Sequence, residues 1–304
     1  MKKTTPFDDI RLFQRVAELG SIRGAAREEA IEPSSVSRRM NRLESRLGTK
    51  LLERAQNRTQ LTDAGASYYE HMRVLVPQFE AAESAVSGDA DTPKGLLKVD
   101  AAIDFGQQYV AKWLLSFQQK HPQVQFELSL SSRHVDLVAE GIDVAIRVGN
   151  LRDSSLKARR LASVPRVLVA SPDYLVAHGN PETPADLQSH QHVFFSRNNR
   201  IQLLELHDSK GATHTVKRQG RVTINAVSSL VDAVKMGCGV HTGPRWAFQD
   251  AIDSGDVVEL LPGYSQRPMT MSAIWAPAVL LPARIRAFID FAAAQASQIP
   301  GLEV

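Results

Sequence analysis

The chain of 304 residues carries 36 Lys and Arg against 33 Asp and Glu, is 43% hydrophobic, and holds 18 Gly, 15 Pro and one Cys. That length suits two or three domains, and the composition is that of an ordinary soluble globular chain able to bury a sizeable core. The lone Cys238 leaves no internal disulfide, and no apolar run reaches the length of a membrane span. The opening segment turns acidic at Asp8 and Asp9, unlike a secretion signal, so the expected location is the cytoplasm.

Ile10, Phe13, Val16 and Ala17 space a first helix. Ser21 is a helix N-cap residue, and Ile22, Ala25 and Ala26 follow at helical spacing. Pro33 opens a further helix and Gly48 stops it. Within it Val36, Met40, Leu43 and Leu47 form one apolar stripe, which turns Ser34, Ser37, Arg38, Asn41 and Arg42 outward; Ser35 and Arg39 flank that outward face. Small hydroxyls near a helix start, followed by arginines, let a helix enter a major groove without steric block.

Charge agrees locally. Residues 1–62 hold 13 Lys and Arg against 8 Asp and Glu, whereas the remainder holds 23 against 25. The positive excess therefore sits with the helix-turn-helix, where phosphates are to be neutralised. Leu51–Arg54 and Gln60–Thr62, joined by a polar segment, read as a β-wing with Arg54 and Arg58 aimed at phosphate or the minor groove. Thr62 or Asp63 caps a long helix to about Ser87, with Tyr68, Met72, Leu75, Val76, Phe79 and Ala82 on one side and Pro77 as an expected kink or break. That stripe calls for a second subunit. Residues 87–95 are a polar linker.

From Leu96 onward short apolar runs alternate with amphipathic stretches, an α/β signature. Strands are expected at 96–101, 125–130, 144–147, 167–170, 192–195, 221–224, 239–242 and 271–276, and helices at 107–119, 134–140, 171–178, 227–236, 246–253 and 282–294. Cys238, between Gly237 and Gly239, reads as a small packed residue, with a redox role as the alternative. Dinucleotide, P-loop and zinc-protease motifs are all absent, so no enzyme and no cofactor is expected. His190 and His192 share one side of an extended segment, but a third metal ligand is not evident, so no metal is assigned.

The chain resembles LysR-type transcriptional regulators over essentially its whole length. The resemblance is carried by Phe13, Val16 to Ser21, Ala25-Ala26, Val36-Ser37-Arg38, Leu43-Glu44, Leu47-Gly48, Leu51 to Arg54 and Leu61 to Gly65. Ile146 to Gly149, Asp153 to Leu156, Leu168 to Leu175 and Arg286 to Phe291 extend it. It implies an α+β multidomain fold: a winged helix-turn-helix over 1–62, a linker and dimerisation helix over 63–92, and a two-lobed, periplasmic-binding-protein-like sensor over 93–304. Its first lobe would take 93–163 and 268–304, its second 164–267. The expected partners are a double-stranded DNA operator, a small-molecule effector and further copies in a homodimer or tetramer, with RNA polymerase as a further candidate. The rival reading is a solute-binding protein without a DNA role.

The resemblance also places the effector in a cleft lined by Ala102, Ile103, Asp104 and Phe105, facing Ser132, His134, Arg147, Ser196, Arg197, Asn225 and Ser228. Ala101 and Ala102 offer no hydroxyl and Asp104 is acidic, so a plain dicarboxylate is disfavoured there and a donor-bearing polar effector expected. Two residues depart from the family pattern. Glu29 stands on the stripe of Ile22, Ala25 and Ala26, where a buried carboxylate would need a partner such as Arg27 or Arg46. Glu32 replaces the hydroxyl that usually caps the recognition helix.

Overall fold

A computed structural model describes residues 5–55, 58–86, 91–133, 135–149, 155–195 and 201–304. They form two compact units, one of Met1–Thr92 with Asp136–Gly141 and Ala278–Ala283, the other of Pro93–Val135, Ile142–Pro277 and Arg284–Val304.

In the first unit, α1 (Pro6–Leu19), α2 (Ile22–Glu28) and α3 (Pro33–Leu47) precede a hairpin of β1 (Leu52–Ala55) and β2 (Arg58–Leu61), then α4 (Asp63–Val86). Thr5 and Asp8 close a capping box on α1, and Ser21 caps α2 through the Gly24 N–H at 3.0 Å. Phe13, Val16, Ala25, Ala26, Val36, Met40, Leu43 and Leu51 make the core that fixes the three helices. Leu47 departs from its expected stripe and stays 37% exposed. α2 ends at Glu28, so Glu29 is its C-cap and is exposed; the carboxylate expected to be buried is solvated instead. Helix α4 runs through Pro77 without a break.

A buried acid fastens the wing to α3. The Glu44 carboxylate accepts from the N–H groups of Leu51 at 2.9 Å and Leu52 at 3.1 Å and from Lys50 Nζ at 2.6 Å. Burial alone would raise its pKa, but the Lys50 contact and the two backbone N–H groups together hold it below the usual carboxylate value. One turn on, Thr62 Oγ1 donates to the Lys50 carbonyl at 2.7 Å and accepts from the Gly65 N–H at 2.9 Å, which starts α4.

The second unit has two lobes. The first is built on β3 (Gly95–Ala101), then α5 (Ile103–Phe105), a π turn at Gly106–Val110, α6 (Ala111–Lys120), β4 (Val124–Leu130), β5 (Val144–Val148) and β6 (Lys157–Val164), with α7 (Leu137–Glu140) falling between β4 and β5 in the chain. The second continues with β7 (Arg166–Ala170), α8 (Pro172–His178), β8 (Gln191–Phe195), β9 (Ile201–Asp208), β10 (Thr213–Ile224) and α9 (Val227–Lys235). It ends with β11 (His241–Pro244), α10 (Arg245–Asp253), β12 (Val258–Glu259) and β13 (Tyr264–Ser265), after which β14 (Met269–Trp275) and α11 (Ala283–Ala296) follow. Strand order in the first lobe is β4-β3-β5-β14-β6, with β3 parallel to β4 and β5 and with β14 antiparallel to its neighbours. Helix α7 groups with the first unit.

The second lobe joins β13-β9-β10-β8 and β11-β7-β12. Alternation along β7 splits its core: Val167 and Val169 pack with Leu230, Val234 and Phe248, whereas Leu168 and Ala170 pack with Tyr174, Leu187 and Leu204. Gly239 lets the chain pass the Gln191 carbonyl, 2.4 Å from where a Cβ would stand. Its neighbour Cys238 is exposed, contrary to the packed position expected from its glycines. Strands β6 and β9 and the first half of β10 lie in stretches for which the sequence suggested none.

Candidate nucleic-acid interface and sensor site

Helix α3 presents Ser34, Ser35, Ser37, Arg38, Arg39 and Arg42 along exposed or half-buried positions. Its N-cap, Glu32, makes no side-chain capping bond, so the first N–H groups of α3 are left to other acceptors. The three arginines are in different states. Arg38 is exposed and donates to Ser35 Oγ of its own helix at 3.2 Å. Arg39 Nε reaches Asp9 Oδ1 at 2.7 Å, and Arg42 grips the same carboxylate with Nε and an amino nitrogen, both at 2.8 Å. This contact raises the pKa of Arg42, first through the hydrogen bond and then through the charge of Asp9. Arg58 is exposed on β2. Arg54 lies on β1, but its side chain is outside the described residues.

In the sensor, Asp100 is fully buried and accepts from Arg147 and, at 3.0 Å, from Ser131 Oγ. Arg147, expected to face an effector, therefore has its charge matched inside the first lobe. Ala102 is the N-cap of α5, Ile103 is 38% exposed and Ser132 is exposed. Phe105 is buried among Tyr109, Trp113 and Trp246, ring centroids 5.0, 5.6 and 5.2 Å away. Trp246 lies in the first turn of α10, so this aromatic cluster spans both lobes. Beside it, Asp104 Oδ1 accepts from the backbone N–H of Ser228 at 3.1 Å. Ser228 lies in the first turn of α9, whose N-cap Ala226 supplies no side-chain acceptor. The carboxylate of one lobe thus caps a helix of the other. Asn225 is exposed just ahead of α9; His134, Ser196 and Arg197 lie outside the described residues.

The histidine pair of the sequence has other work. His192 Nε2 meets the Leu187 carbonyl at 2.9 Å and His190 Nδ1 meets the Tyr174 hydroxyl at 3.3 Å. Among the described residues no group of three or more His, Cys, Asp and Glu is placed to hold a metal ion. Nor, among them, is any helix long and apolar enough to cross a membrane. Sequence reasoning missed Asp9, Asp100 and Trp246. Asp9 had a legible signal, an acid one position before the buried Ile10 on a helix meant to pack against an arginine-rich partner. Asp100 and Trp246 had none.

Two family models match: "Bacterial regulatory helix-turn-helix protein, lysR family" over residues 7–66 and "LysR substrate binding domain" over residues 90–297. The chain is 32% identical over 281 residues to the transcriptional activator AaeR of Escherichia coli K12, spanning 92% of this chain and 90% of that one. It is 30% identical over 286 residues to the probable transcriptional regulator LtrA of Klebsiella pneumoniae, spanning 93% and 92%. Among solved structures, CrgA of Neisseria meningitidis matches with a TM-score of 0.60 at 28% identity, covering 97% of this chain and 99% of that one. Full-length AphB of Vibrio cholerae matches with a TM-score of 0.58 at 28% identity, covering 94% and 98%. With a DNA-reading head and an effector-binding domain in one polypeptide, the chain belongs to the LysR family of transcriptional regulators.

Proposed function

We propose that this regulator reads its operator with Ser34, Ser35, Ser37, Arg38, Arg39 and Arg42 of α3, while Arg54 and Arg58 of the wing hold the flanking backbone. The observation that carries this reading is the exposed Arg38, one turn inside a helix whose opposite face, Val36, Met40 and Leu43, is sealed in the core. A bidentate arginine–guanine contact discriminates bases by about 1–3 kcal/mol. Arg38→Ala is accordingly expected to relax sequence preference, whereas Arg58→Ala weakens binding to all sequences alike and lowers the salt slope by about one phosphate contact. Mobility-shift titrations at several salt concentrations measure both; unchanged preference in Arg38→Ala would remove the assignment.

The working form is a homo-oligomer joined along α4, a homodimer or a dimer of dimers on a partly palindromic site. Supporting this, Leu75 and Phe79 are 51% and 44% exposed on α4, beside Phe7 and Met72 in one apolar groove. The protein acts in the cytoplasm, with no catalytic step, and contacts RNA polymerase where it activates.

The effector is a small polar molecule carrying a hydrogen-bond donor. Its donor replaces the Ser228 N–H on Asp104, and the freed helix start of α9, with Asn225, takes its polar or anionic end. Asp104 stands where a plain dicarboxylate would need to dock. Thermal-shift or calorimetric titration of the full chain with succinate is expected to show no binding to the unaltered protein, and binding to Asp104→Ser, which vacates the helix start. Tight succinate binding by the unaltered protein would overturn this effector class.

A further inference from the structure

The carboxylate of Asp9 is 4% exposed, yet it sits at the edge of the helix that reads DNA and holds two of that helix's arginines at once. Burying a carboxylate is costly unless it is matched by charge and hydrogen bonds. Asp9 is matched by three N–H donors from two guanidiniums, whose positions, Arg39 and Arg42, lie three residues apart and so share one face of α3. The guanidinium of Arg42 is held side-on, through Nε and one amino nitrogen, while its side chain remains 57% exposed. The other amino nitrogen keeps its N–H groups for an outside acceptor, and the clamp fixes the direction in which they point.

We propose that Asp9 is a specificity-determining positioning residue for DNA recognition. It presents Arg42 to one defined phosphate or base edge of the operator, and it withholds part of the positive charge of Arg39 and Arg42 from non-specific duplex. Asp9 itself touches no DNA. Two arginines and one carboxylate offer the duplex a net charge of one, not two, and a clamped guanidinium loses less side-chain freedom on binding than a free one. The sequence-independent electrostatic attraction is lowered, while the geometry-dependent contact is favoured. Arg38, which is not clamped, is left free to search.

The inference rests on the DNA-reading role of α3, and its test separates the two. A duplex is selected from random-sequence DNA by the unaltered full chain, and a scrambled duplex of the same composition serves as the non-specific probe. If the unaltered chain selects nothing, the DNA-reading role fails and not this inference alone. In Asp9→Asn, binding to the scrambled duplex is expected to hold or tighten, with a steeper salt dependence of about one further phosphate. Binding to the selected duplex is expected to weaken, so that the ratio between them falls about tenfold. Asp9→Glu should recover part of that ratio. A parallel fall on both duplexes, with the ratio unchanged, would mean that Asp9 only supports the fold and would overturn the proposal. Should Asp9→Asn fail to fold, Arg42→Lys decides. It keeps the charge but loses the side-on grip, so the ratio should fall with little change in salt slope, and an unchanged ratio overturns the proposal.

Discussion

Gly65→Ala is expected to lower the melting temperature of the DNA-binding unit by 10 °C or so and to abolish operator binding at growth temperature. A Cβ at Gly65 would stand 1.9 Å from the Leu51 carbonyl oxygen and 2.8 Å from its carbon, both backbone atoms that no side-chain rotation can clear. That oxygen already accepts the Thr62 N–H at 3.0 Å, and the Gly65 N–H is held by Thr62 Oγ1, so neither side can retreat without breaking the corner between wing and α4. Overpacking of this kind costs about 3 kcal/mol or more, which in a unit of this size is roughly 10 °C. Gly48→Ala is the internal comparison: its φ of +68° is strained for alanine, but no atom lies within 4 Å of the added methyl. Its expected cost is about 1 kcal/mol. Calorimetric melting of the two variants measures the difference; melting temperatures within 2 °C of each other (a threshold of about half a kcal/mol) would refute the steric account.

The second lobe is expected to lose stability steeply between pH 6.5 and pH 5. Burial is the main cause that pushes the pKa of both His192 and His241 down to about 4, and the nearby Arg218 adds to it in each. Their folded values lie below the unfolded one, so the folded state keeps them neutral while the unfolded chain takes up protons first. The stabilisation is complete above about pH 6.5 and is lost as pH falls toward 4. By pH 5 each ring is expected to withdraw about 2 kcal/mol, somewhat less for the pair because each ring's charge also acts on the other. Both rings are tied by one nitrogen, His192 Nε2 to the Leu187 carbonyl and His241 Nδ1 to the Val193 carbonyl at 2.8 Å. Glutamine at both positions can keep a donor and cannot titrate. Melting temperature plotted against pH should therefore fall less steeply in the double glutamine variant; parallel curves would dissociate the acid response from these histidines.

Much of the DNA-binding head was legible in the sequence because its physics is local. Ser21, Pro33 and Gly48 mark helix ends by their own backbone preferences, and Val36, Met40 and Leu43 mark one face by spacing alone. Leu47 departs from the same stripe at the last position of the helix, next to its Gly48 cap. Glu29 keeps the spacing of the buried Ala25 and Ala26, but it falls at the C-cap, where the helix ends and the side chain reaches solvent. In the sensor, β7 and β8 were visible as short apolar runs, whereas β9 mixes the buried Leu204 and Leu206 with polar residues and most of β10 is polar around the buried Val216 and Arg218, so neither stands out as an apolar run. The sensor contacts were least legible. Arg147 was placed toward the effector because its partner Asp100 lies on a strand 47 residues earlier in the chain, beyond the reach of any local pattern. Asp104 could be recognised as a helix cap, but the helix it caps belongs to a segment more than 100 residues away, which no local rule can reach.

The strand order of the first lobe also bears on synthesis. β14 lies between β5 and β6, and it is made after the entire second lobe. A chain emerging from the ribosome therefore finishes its DNA-binding head first and its second lobe next, while β5 and β6 wait with open edges for residues beyond Met269. A message cut short before that point would yield a head able to hold DNA and a sensor unable to close its first sheet. Such a product would compete for operators without answering to any effector, and its unpaired strands would draw it toward aggregation and proteolysis.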